Sequence, residues 1–330
     1  MDKLKAGIIG CGAYGDNHAR IIRHLGHFEL RAFADVNLEA AESFLAEFGG
    51  AYCDADYMRV LSDPEIDVVY ICTTHDAHHP IAMEAIRRGK HVFLEKPMCM
   101  TVEQCEDIVG ALENSPLKLA VGHKMRYAPH TQKAKQAIPK PISIVAQMMC
   151  ERWADDMWPQ DPVKGGGNVF SQGCHIFDLA AYLAGAEPER VYAEGGAFTH
   201  PGWDQLDSVA ATVRYKNGVI ASISVGDAGQ NGFTSKTMVQ IYGGNDCVNL
   251  SNRLLRYDRY RGQDAERSEL PDDLLDPVND PEGLYRQERE FYDCIAHDRQ
   301  PLVGAKEGMN AVRMVRAAFR SAREGTAQYL

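Results

Sequence analysis

The chain lacks both the long apolar runs of membrane proteins and the positive charge of nucleic-acid-binding proteins. No apolar stretch reaches the roughly 20 residues that cross a bilayer. Its 46 acidic residues outnumber 35 basic ones, which gives a formal net charge of −11 and an isoelectric point near 5.6. This balance disfavours nucleic acid and anionic membranes as partners, and we interpret it as a solubility feature.

Signs of secretion are also missing. The nine cysteines are an odd number, and no two of them form a C-x-x-C pair. We therefore expect reduced, mostly buried thiols rather than a disulfide framework. The segment MDKLKAGII enters an apolar strand directly, so we expect no signal peptide and a cytoplasmic location.

What the chain does contain is a glycine turn near its start, in GIIGCGAYGDNH. Gly10, Gly12 and Gly15 form a G-x-G-x-x-G pattern, which is weak by itself because the chain has 29 glycines. An apolar strand pattern, LKAGII, precedes the turn, and NHARIIRHL follows it with helical spacing. A strand, a glycine turn and a helix are the context of a dinucleotide-binding fingerprint, in which the helix N-terminus faces the pyrophosphate.

An acidic residue completes this fingerprint. The next predicted strand, ELRAFAD, ends at Asp35, which lies 20 residues after Gly15 (35 − 15). At about this distance the fingerprint requires a carboxylate that accepts the ribose hydroxyls. Val36 and Asn37 follow, with no arginine for a 2′-phosphate. The sequence therefore predicts NAD as the cofactor, with NADP disfavoured.

The first 122 residues alternate strand and helix patterns. Further strands are predicted in DVVYICTT, HVFLEKP and LKLAVGH. Helices are predicted in LEAAESFLAEFG, in HPIAMEAIRRGK with Pro80 near its start, and in TVEQCEDIVGALENS with Thr101 as its cap. This alternation is typical of an α/β, doubly wound parallel sheet, which binds ligands at the carboxyl ends of its strands. We assign residues 1–122 to an NAD-binding Rossmann domain.

The pattern changes from about Ala128. A helix in PHTQKAKQAI precedes strands in ISIVAQMMCERW, RVYAEGGAFT and TMVQIYGG, and KNG marks a hairpin within SVAATVRYKNGVIASISVG. Two helices close the chain, and the acidic segment LPDDLLDPVNDPEG predicts an exposed loop. We assign residues 123–330 to a C-terminal α+β domain with a mostly antiparallel open sheet.

Polar residues follow two strands of the predicted parallel sheet. Lys96, in EKP, could exchange a proton with a substrate hydroxyl while a hydride moves to nicotinamide, although its position alone also fits a surface lysine. His75, His78 and His79 suggest a metal site. Because neighbours such as His78 and His79 cannot both point to one side of a helix or strand, we expect no metal.

Several segments together carry a family resemblance. They are EKP, GHKMRYAP, GGGNVFSQGCHIFDLAAYLAG and the closing CIAHDRQPLVGAKEGMNAVRMVRAAFRSA. Over nearly its whole length the chain resembles the glucose–fructose oxidoreductase and inositol dehydrogenase family, known as Gfo/Idh/MocA. The resemblance implies hydride transfer between NAD and a secondary hydroxyl of a sugar, cyclitol or polyol. It also implies a homodimer or homotetramer formed through the second domain, which would bind the substrate.

The resemblance implies a cofactor site in the first domain. Its residues would be Gly10, Gly12, Tyr14, Gly15, Asp35, Thr73, His78 and Glu95. The segment TTHDAH is similar to the family's T-P-N-x-x-H, with Thr74 and His75 as departures. Lys96 would be catalytic, and the bond between Lys96 and Pro97 is often cis in this family.

In the second domain, GGGNVFSQGCHIFD is similar to the family's G-G-G-x-x-x-D-x-G-x-H-x-x-D. His175 would be the second proton-transfer residue and would pair with Lys96 across the domain interface. Ser171 replaces the family's aspartate and cannot carry its negative charge, so the proton relay or the substrate orientation must differ. Asp178 either orients His175 or serves helix packing.

The resemblance also places the segment before the triple glycine near the substrate. We expect Lys96, Trp158, Ser171 and His175 to contact the substrate. Trp153 and Trp158 could stack on a sugar ring, or could pack in a core or an interface. Lys124 could contact a hydroxyl or a carboxylate.

Two other functions remain open. One is a redox-neutral epimerase or glycosidase of the same family that retains its NAD. The other is a non-enzymatic sensor that binds a dinucleotide, which the presence of Lys96 and His175 argues against.

Overall fold

The computed structural model describes residues 3–230 and 235–330, and the chain divides into two compact units. The first unit comprises Met1–Gly122 and Leu284–Met309, and the second comprises His123–Gly283 and Asn310–Leu330. The first unit thus ends at Gly122, where the sequence analysis also places its domain boundary, and it includes residues 284–309, which the sequence analysis places in the second domain.

The first unit is built on a six-stranded parallel sheet in the order β3-β2-β1-β4-β5-β6. The strands are β1 (Leu4–Ile9), β2 (Phe28–Ala34), β3 (Tyr52–Asp54), β4 (Val68–Ile71), β5 (His91–Leu94) and β6 (Leu119–Val121). The order reverses between β1 and β4, which is where doubly wound sheets bind ligands. The predicted doubly wound sheet is confirmed.

Helices connect these strands. They are α1 (Ala13–Leu25), α2 (Leu38–Phe48), α3 (Tyr57–Ser62), α4 (His75–Arg87) and α5 (Val102–Leu112). The predicted cap of α5 is confirmed, because Thr101 Oγ1 accepts the Gln104 N–H at 3.3 Å and Gln104 Oε1 accepts the Thr101 N–H at 3.2 Å.

The start of α4 differs from the prediction that Pro80 lies near it. The helix begins at His75, so Pro80 lies in its interior. Thr74 has extended backbone and its carbonyl accepts the Ala77 N–H at 3.1 Å, which starts the first turn upstream of the proline. A proline this early in a helix removes one N–H donor from the second turn, and the helix continues past it.

The segment 284–309 joins the first unit through the apolar face of α8 (Leu284–Ala296). Phe291 is fully buried there, with its ring 5.6 Å from that of Phe93 and 6.3 Å from that of Tyr70. Helix α8 also packs on α1. The sequence shows an amphipathic helix at this place, but its apolar spacing does not say which sheet the helix covers.

The second unit contains, among the described residues, a nine-stranded sheet in the order β14-β13-β12-β11-β7-β10-β9-β8-β15. The strands are β7 (Ser143–Met149), β8 (Pro188–Gly196), β9 (Ser208–Tyr215), β10 (Ile220–Gly226), β11 (Thr237–Gly243), β12 (Asp246–Ser251), β13 (Arg256–Arg261), β14 (Asp264–Glu269) and β15 (Gln328–Tyr329). Only β7 and β10 pair in parallel, so the mostly antiparallel sheet is confirmed.

Three further α-helices occur among the described residues: α6 (Pro129–Ala137), α7 (Asn168–Ala184) and α9 (Ala305–Glu324), the last of which contains residues of both units. Helix α7 is buried over most of its length and packs on β7, β9 and β10. Helix α7 therefore places His175 inside the unit. No helix in the described part of the chain has the length and apolarity needed to span a membrane.

Candidate functional site

The glycine turn follows β1 at the carboxyl edge of the parallel sheet. Gly10 has φ +100°, and a Cβ there would lie 2.5 Å from the backbone carbon of Cys72, after β4. A Cβ on Gly15 would lie 2.2 Å from the carbonyl oxygen of Gly10. Glycine at these two positions is therefore needed for the turn itself and for the close approach of α1.

Gly12 differs from the other two glycines, because a Cβ there would meet nothing within 4 Å. It is the N-cap of α1, has extended backbone and receives no side-chain cap. Open space above the first N–H groups of a helix suits the approach of a phosphate. This cradle fits the pyrophosphate of a dinucleotide, as the sequence predicts.

Asp35 follows β2 and is anchored to the glycine turn. Its Oδ2 accepts the Cys11 N–H at 2.8 Å, and its Oδ1 accepts the Asn37 N–H at 2.9 Å. The carboxylate is half-buried, while the next residue, Val36, is 95% exposed. The position and charge of Asp35 suit the ribose hydroxyls of NAD.

Two further predicted residues, Thr73 and His78, come after β4. Thr73 is half-buried two residues after β4. His78 is fully buried on α4, and its Nδ1 donates to the Pro97 carbonyl at 2.8 Å. Burial lowers the pKa of His78, which favours the neutral ring. His78 therefore holds the segment that carries Lys96.

Glu95 and Lys96 come directly after β5. Both are buried, and the bond between Lys96 and Pro97 is cis. The Lys96 Nζ lies 5.7 Å from the centre of the Tyr14 ring, at the start of α1. The structure thus brings the predicted lysine to the glycine turn, instead of leaving it on the open surface as an ordinary surface lysine would be.

The histidine cluster does not converge on a metal site. His78 bonds to Pro97 as described, whereas the His79 Nε2 donates to Asp107 Oδ2 at 3.1 Å. Within residues 3–230 and 235–330, no group of three His, Cys, Asp or Glu side chains could hold a metal ion.

In the second unit, α7 carries both Ser171 and His175, one helical turn apart, and both are buried. The ring of His175 meets that of His123 edge to face, with 5.7 Å between their centres. His123 is fully buried and is a neighbour that the sequence analysis missed. It follows the last strand of the first unit, and only the fold shows that it contacts α7.

Asp178 pairs with Arg126, which donates to Oδ2 at 2.8 Å and to Oδ1 at 2.6 Å. Both groups are buried, and such two-pronged pairs fix geometry well. The pair ties α7 to the short helical turn at Lys124–Arg126. Of the two roles open for Asp178, this contact supports helix packing.

Lys124 has a partner that the sequence analysis missed. Its Nζ lies 2.5 Å from Glu282 Oε2 in the second unit. Burial raises the pKa of Glu282, but the neighbouring Lys124 outweighs this effect and lowers it. The acidic segment is therefore not wholly exposed: Asp280 and Gly283, near its end, are buried.

A cavity of about 570 Å³ also lies in the second unit. Trp158 and Trp203 line it together with four aspartates, two glutamines and Lys164. Trp203 stacks on the buried His200 ring with 4.5 Å between the ring centres. Gln160 connects the cavity to α7, because its Oε1 accepts the Asn168 N–H at 3.0 Å. Trp153, in contrast, is half-buried outside this lining.

Searches against known proteins agree with this architecture. Residues 4–123 match the Gfo/Idh/MocA family model described as an oxidoreductase family with an NAD-binding Rossmann fold. Residues 142–329 match the companion model, described as the C-terminal alpha/beta domain of that oxidoreductase family.

Individual relatives are similar over nearly the whole chain. The inositol 2-dehydrogenase of Rhizobium meliloti (strain 1021) is 26% identical over 327 residues, covering 97% of each chain. Levoglucosan dehydrogenase, solved with NADH and levoglucosan, superposes with a TM-score of 0.88 at 20% identity over 99% of both chains. Aldose–aldose oxidoreductase from Caulobacter crescentus, solved with glycerol, gives 0.86 at 24% identity over 99% of this chain and 100% of that one. These two structures share the fold.

Proposed function

The chain belongs to the Gfo/Idh/MocA oxidoreductase family, and from this premise we propose that it oxidises a secondary hydroxyl of a sugar, cyclitol or polyol with NAD. The observation that carries the proposal is the position of Lys96. Its ammonium is buried at the carboxyl edge of the parallel sheet, 5.7 Å from the ring of Tyr14 beside the glycine turn.

In this proposal, groups of the first unit would hold the cofactor. The N–H groups at the start of α1, beside Gly12, would bind the pyrophosphate, and Asp35 would accept hydrogen bonds from the ribose hydroxyls. When bound, NAD supplies the acceptor for a hydride from the carbinol carbon. Asp35 would repel a 2′-phosphate, so the proposal favours NAD over NADP.

The proton of the hydroxyl needs an acceptor while the hydride leaves. We assign this role to His175, assisted by Lys96; in the reverse direction the two residues return a proton to the ketone oxygen. Ser171, one turn before His175 on α7, would hydrogen-bond a substrate hydroxyl. It cannot supply the negative charge of the aspartate that is usual in the family.

The cavity of the second unit supports a polyhydroxylated substrate. Trp158 and Trp203 offer flat apolar faces for the C–H face of a ring, and the polar lining offers donors and acceptors for hydroxyls. Two relatives are named as dehydrogenases of inositol and of levoglucosan, and both compounds are polyhydroxylated rings.

The proposal is tested with Lys96→Met, which keeps most of the side-chain volume and removes the ammonium. The purified protein is first screened with NAD against inositols, aldoses and sugar acids by following NADH. On the best substrate we expect Lys96→Met to lose about 10² to 10⁴ in turnover, the usual effect of removing an acid–base group, while NAD affinity is kept.

Lys140→Met is the matched control, because Lys140 is an exposed lysine of the second unit. Turnover of Lys96→Met within about threefold of the parent, far below the range for an acid–base group, would contradict the proposal. It would also favour the alternative of a sensor without chemistry.

A further inference from the structure

Four buried polar side chains form one hydrogen-bonded network in the first unit. Tyr70 on β4, His18 on α1, Glu288 on α8 and Glu95 after β5 are each at most 7% exposed. His18 Nδ1 bonds to Glu288 Oε1, His18 Nε2 lies 3.1 Å from Glu95 Oε1, and the Tyr70 hydroxyl donates to Glu288 Oε2 at 2.7 Å. This set is called the His18 network below.

The His18 network is charged although it is buried. Burial lowers the pKa of His18, but the carboxylates of Glu288 and Glu95 outweigh burial and raise it to about 10. Burial raises the pKa of Glu95, and the hydrogen bond from His18 more than reverses this, so that the pKa is lowered. At neutral pH the network therefore holds one imidazolium between two carboxylates.

Such a network is poorly explained by stability alone. Buried ion pairs often contribute less to stability than apolar side chains of similar volume, because both ions lose their hydration. The aromatic rings around His18, such as Phe93 with 4.7 Å between ring centres, show that an apolar core was available at this place. We therefore ask whether the charged side chains of the His18 network hold a neighbouring segment in place.

The segment that the His18 network can hold in place is Glu95–Pro97. The second oxygen of Glu95, Oε2, accepts the backbone N–H of Lys96 at 3.1 Å. A Cβ on Gly122 would lie 2.7 Å from Glu95 Oε1, so the carboxylate fills the space beside β6 and has little room to turn. His18 thus fixes Glu95, and Glu95 fixes the backbone from which the Lys96 side chain extends.

We propose that His18 and Glu288 are positioning residues for Lys96, acting through the carboxylate of Glu95. This inference rests on the proposed function in one respect: its effect on turnover exists only if Lys96 is catalytic. Its structural consequence, an ordered Lys96 backbone, exists whether or not the protein is a dehydrogenase. The two can therefore fail separately.

The test compares Glu288→Gln and His18→Gln with the parent, without NAD, by hydrogen exchange at the Lys96 amide. Glutamine at 288 keeps an acceptor for Tyr70 and removes the charge, while glutamine at 18 is neutral and cannot supply the positive charge of the imidazolium. We expect exchange at this amide to become at least about tenfold faster, while amides in the centre of β1 keep their protection.

A kinetic measurement accompanies it, on the substrate that the parent oxidises. A small misplacement of a catalytic group costs up to about 100-fold, so we expect kcat to fall roughly 10- to 100-fold with KM for NAD within about threefold. Asp293→Asn is the matched control, because it removes the same charge from the same helix; it should leave both the exchange and kcat unchanged.

Tyr70→Phe keeps the test decisive if His18→Gln or Glu288→Gln does not fold. It removes only the hydroxyl that donates to Glu288, and a smaller acceleration of the same amide is expected. Unchanged Lys96 exchange in every folded variant would overturn the proposal. Equal loss of protection at Lys96 and in β1 would also overturn it, because the network would then serve stability alone.

Discussion

At the scale of single residues, substitutions in the glycine turn can distinguish a role in NAD binding from a role in folding. Gly15→Ala places a Cβ 2.2 Å from the Gly10 carbonyl oxygen, whereas Gly12→Ala places one in open space. We expect Gly15→Ala to lower the free energy of unfolding by roughly 1–3 kcal/mol, as overpacking does. Gly12→Ala should cost about 1 kcal/mol or less as an N-cap change, yet weaken NAD binding at least about tenfold.

Thermal unfolding and NAD titration of both variants check this prediction. Gly26→Ala is the control. Gly26 has φ +67° at the other end of α1, so alanine there strains the helix end without touching the cradle, and NAD affinity should be kept. Full NAD affinity in Gly12→Ala would show that the cradle does not hold the pyrophosphate.

We propose that Asp35, the residue after β2, determines the choice between NAD and NADP. Asp35 is held by the Cys11 N–H, and the exposed Val36 beside it leaves room for a longer side chain. We expect NAD to bind at least about tenfold tighter than NADP, or roughly 1.4 kcal/mol. The double variant Asp35→Ser with Val36→Arg should narrow or reverse this preference, as measured by titration with both dinucleotides. Equal affinities in the parent protein would refute the role of Asp35.

The sequence predicts residues that belong to a local pattern and misses those defined by distant contacts. Gly10, Gly12, Gly15 and Asp35 lie within one strand–turn–helix–strand unit, so their spacing together with the strand and helix patterns around them predicts the cradle. His18 bonds to Glu288, which lies 270 residues away. Nothing local in either segment predicts that pairing, because it forms only when α8 packs on α1.

At the scale of secondary-structure elements, the His18 network links α1, β4, β5 and α8 and makes their association depend on pH. The pKa of His18 is about 10 in the folded protein and near 6.5 when unfolded. The folded state therefore binds this proton more tightly. The contribution to stability is complete below pH 6.5 and is lost as the pH rises toward 10.

We accordingly expect the difference in unfolding free energy between the parent and His18→Gln to shrink between pH 7 and pH 10. One proton gives a slope of up to about 1.4 kcal/mol per pH unit. Burial raises the pKa of Tyr70 well above its ordinary value, so the neighbouring phenol stays protonated in this window. Denaturant titrations at several pH values measure the difference, with His24→Gln on α1 as the control. A pH-independent difference would contradict a charged His18.

Elements with strong apolar patterns are predicted well, and polar ones are not. Strand β4 is apolar and buried throughout, and the last residues of β1 and β2 are apolar and buried as well. The sequence does not predict strands β12 to β14, because segments such as RYDRYR and DAERSE are rich in charged residues, most of which are exposed. Sheet pairing stabilises them despite their composition.

At the scale of the whole molecule, each unit has the architecture that its sequence pattern predicts. The main difference from the sequence prediction is the unit to which one segment belongs. Residues 284–309 follow strands β7 to β14 of the second sheet in sequence and belong to the first unit. Family membership explains the architecture without naming the substrate. Ser171 stands where the family usually has an aspartate. The dehydrogenase, the redox-neutral enzyme and the sensor without chemistry are therefore three functions to be told apart by experiment.

These functions differ in the fate of one hydrogen. The most direct test uses the best polyol substrate with deuterium on its carbinol carbon, incubated with NAD and the full chain. We predict that the deuterium appears on NADH in equal amount to a ketone product, detected by mass spectrometry. Conversion of the substrate without deuterated NADH would indicate redox-neutral turnover. NAD binding with neither conversion nor NADH, across the inositols, aldoses and sugar acids, would contradict the account.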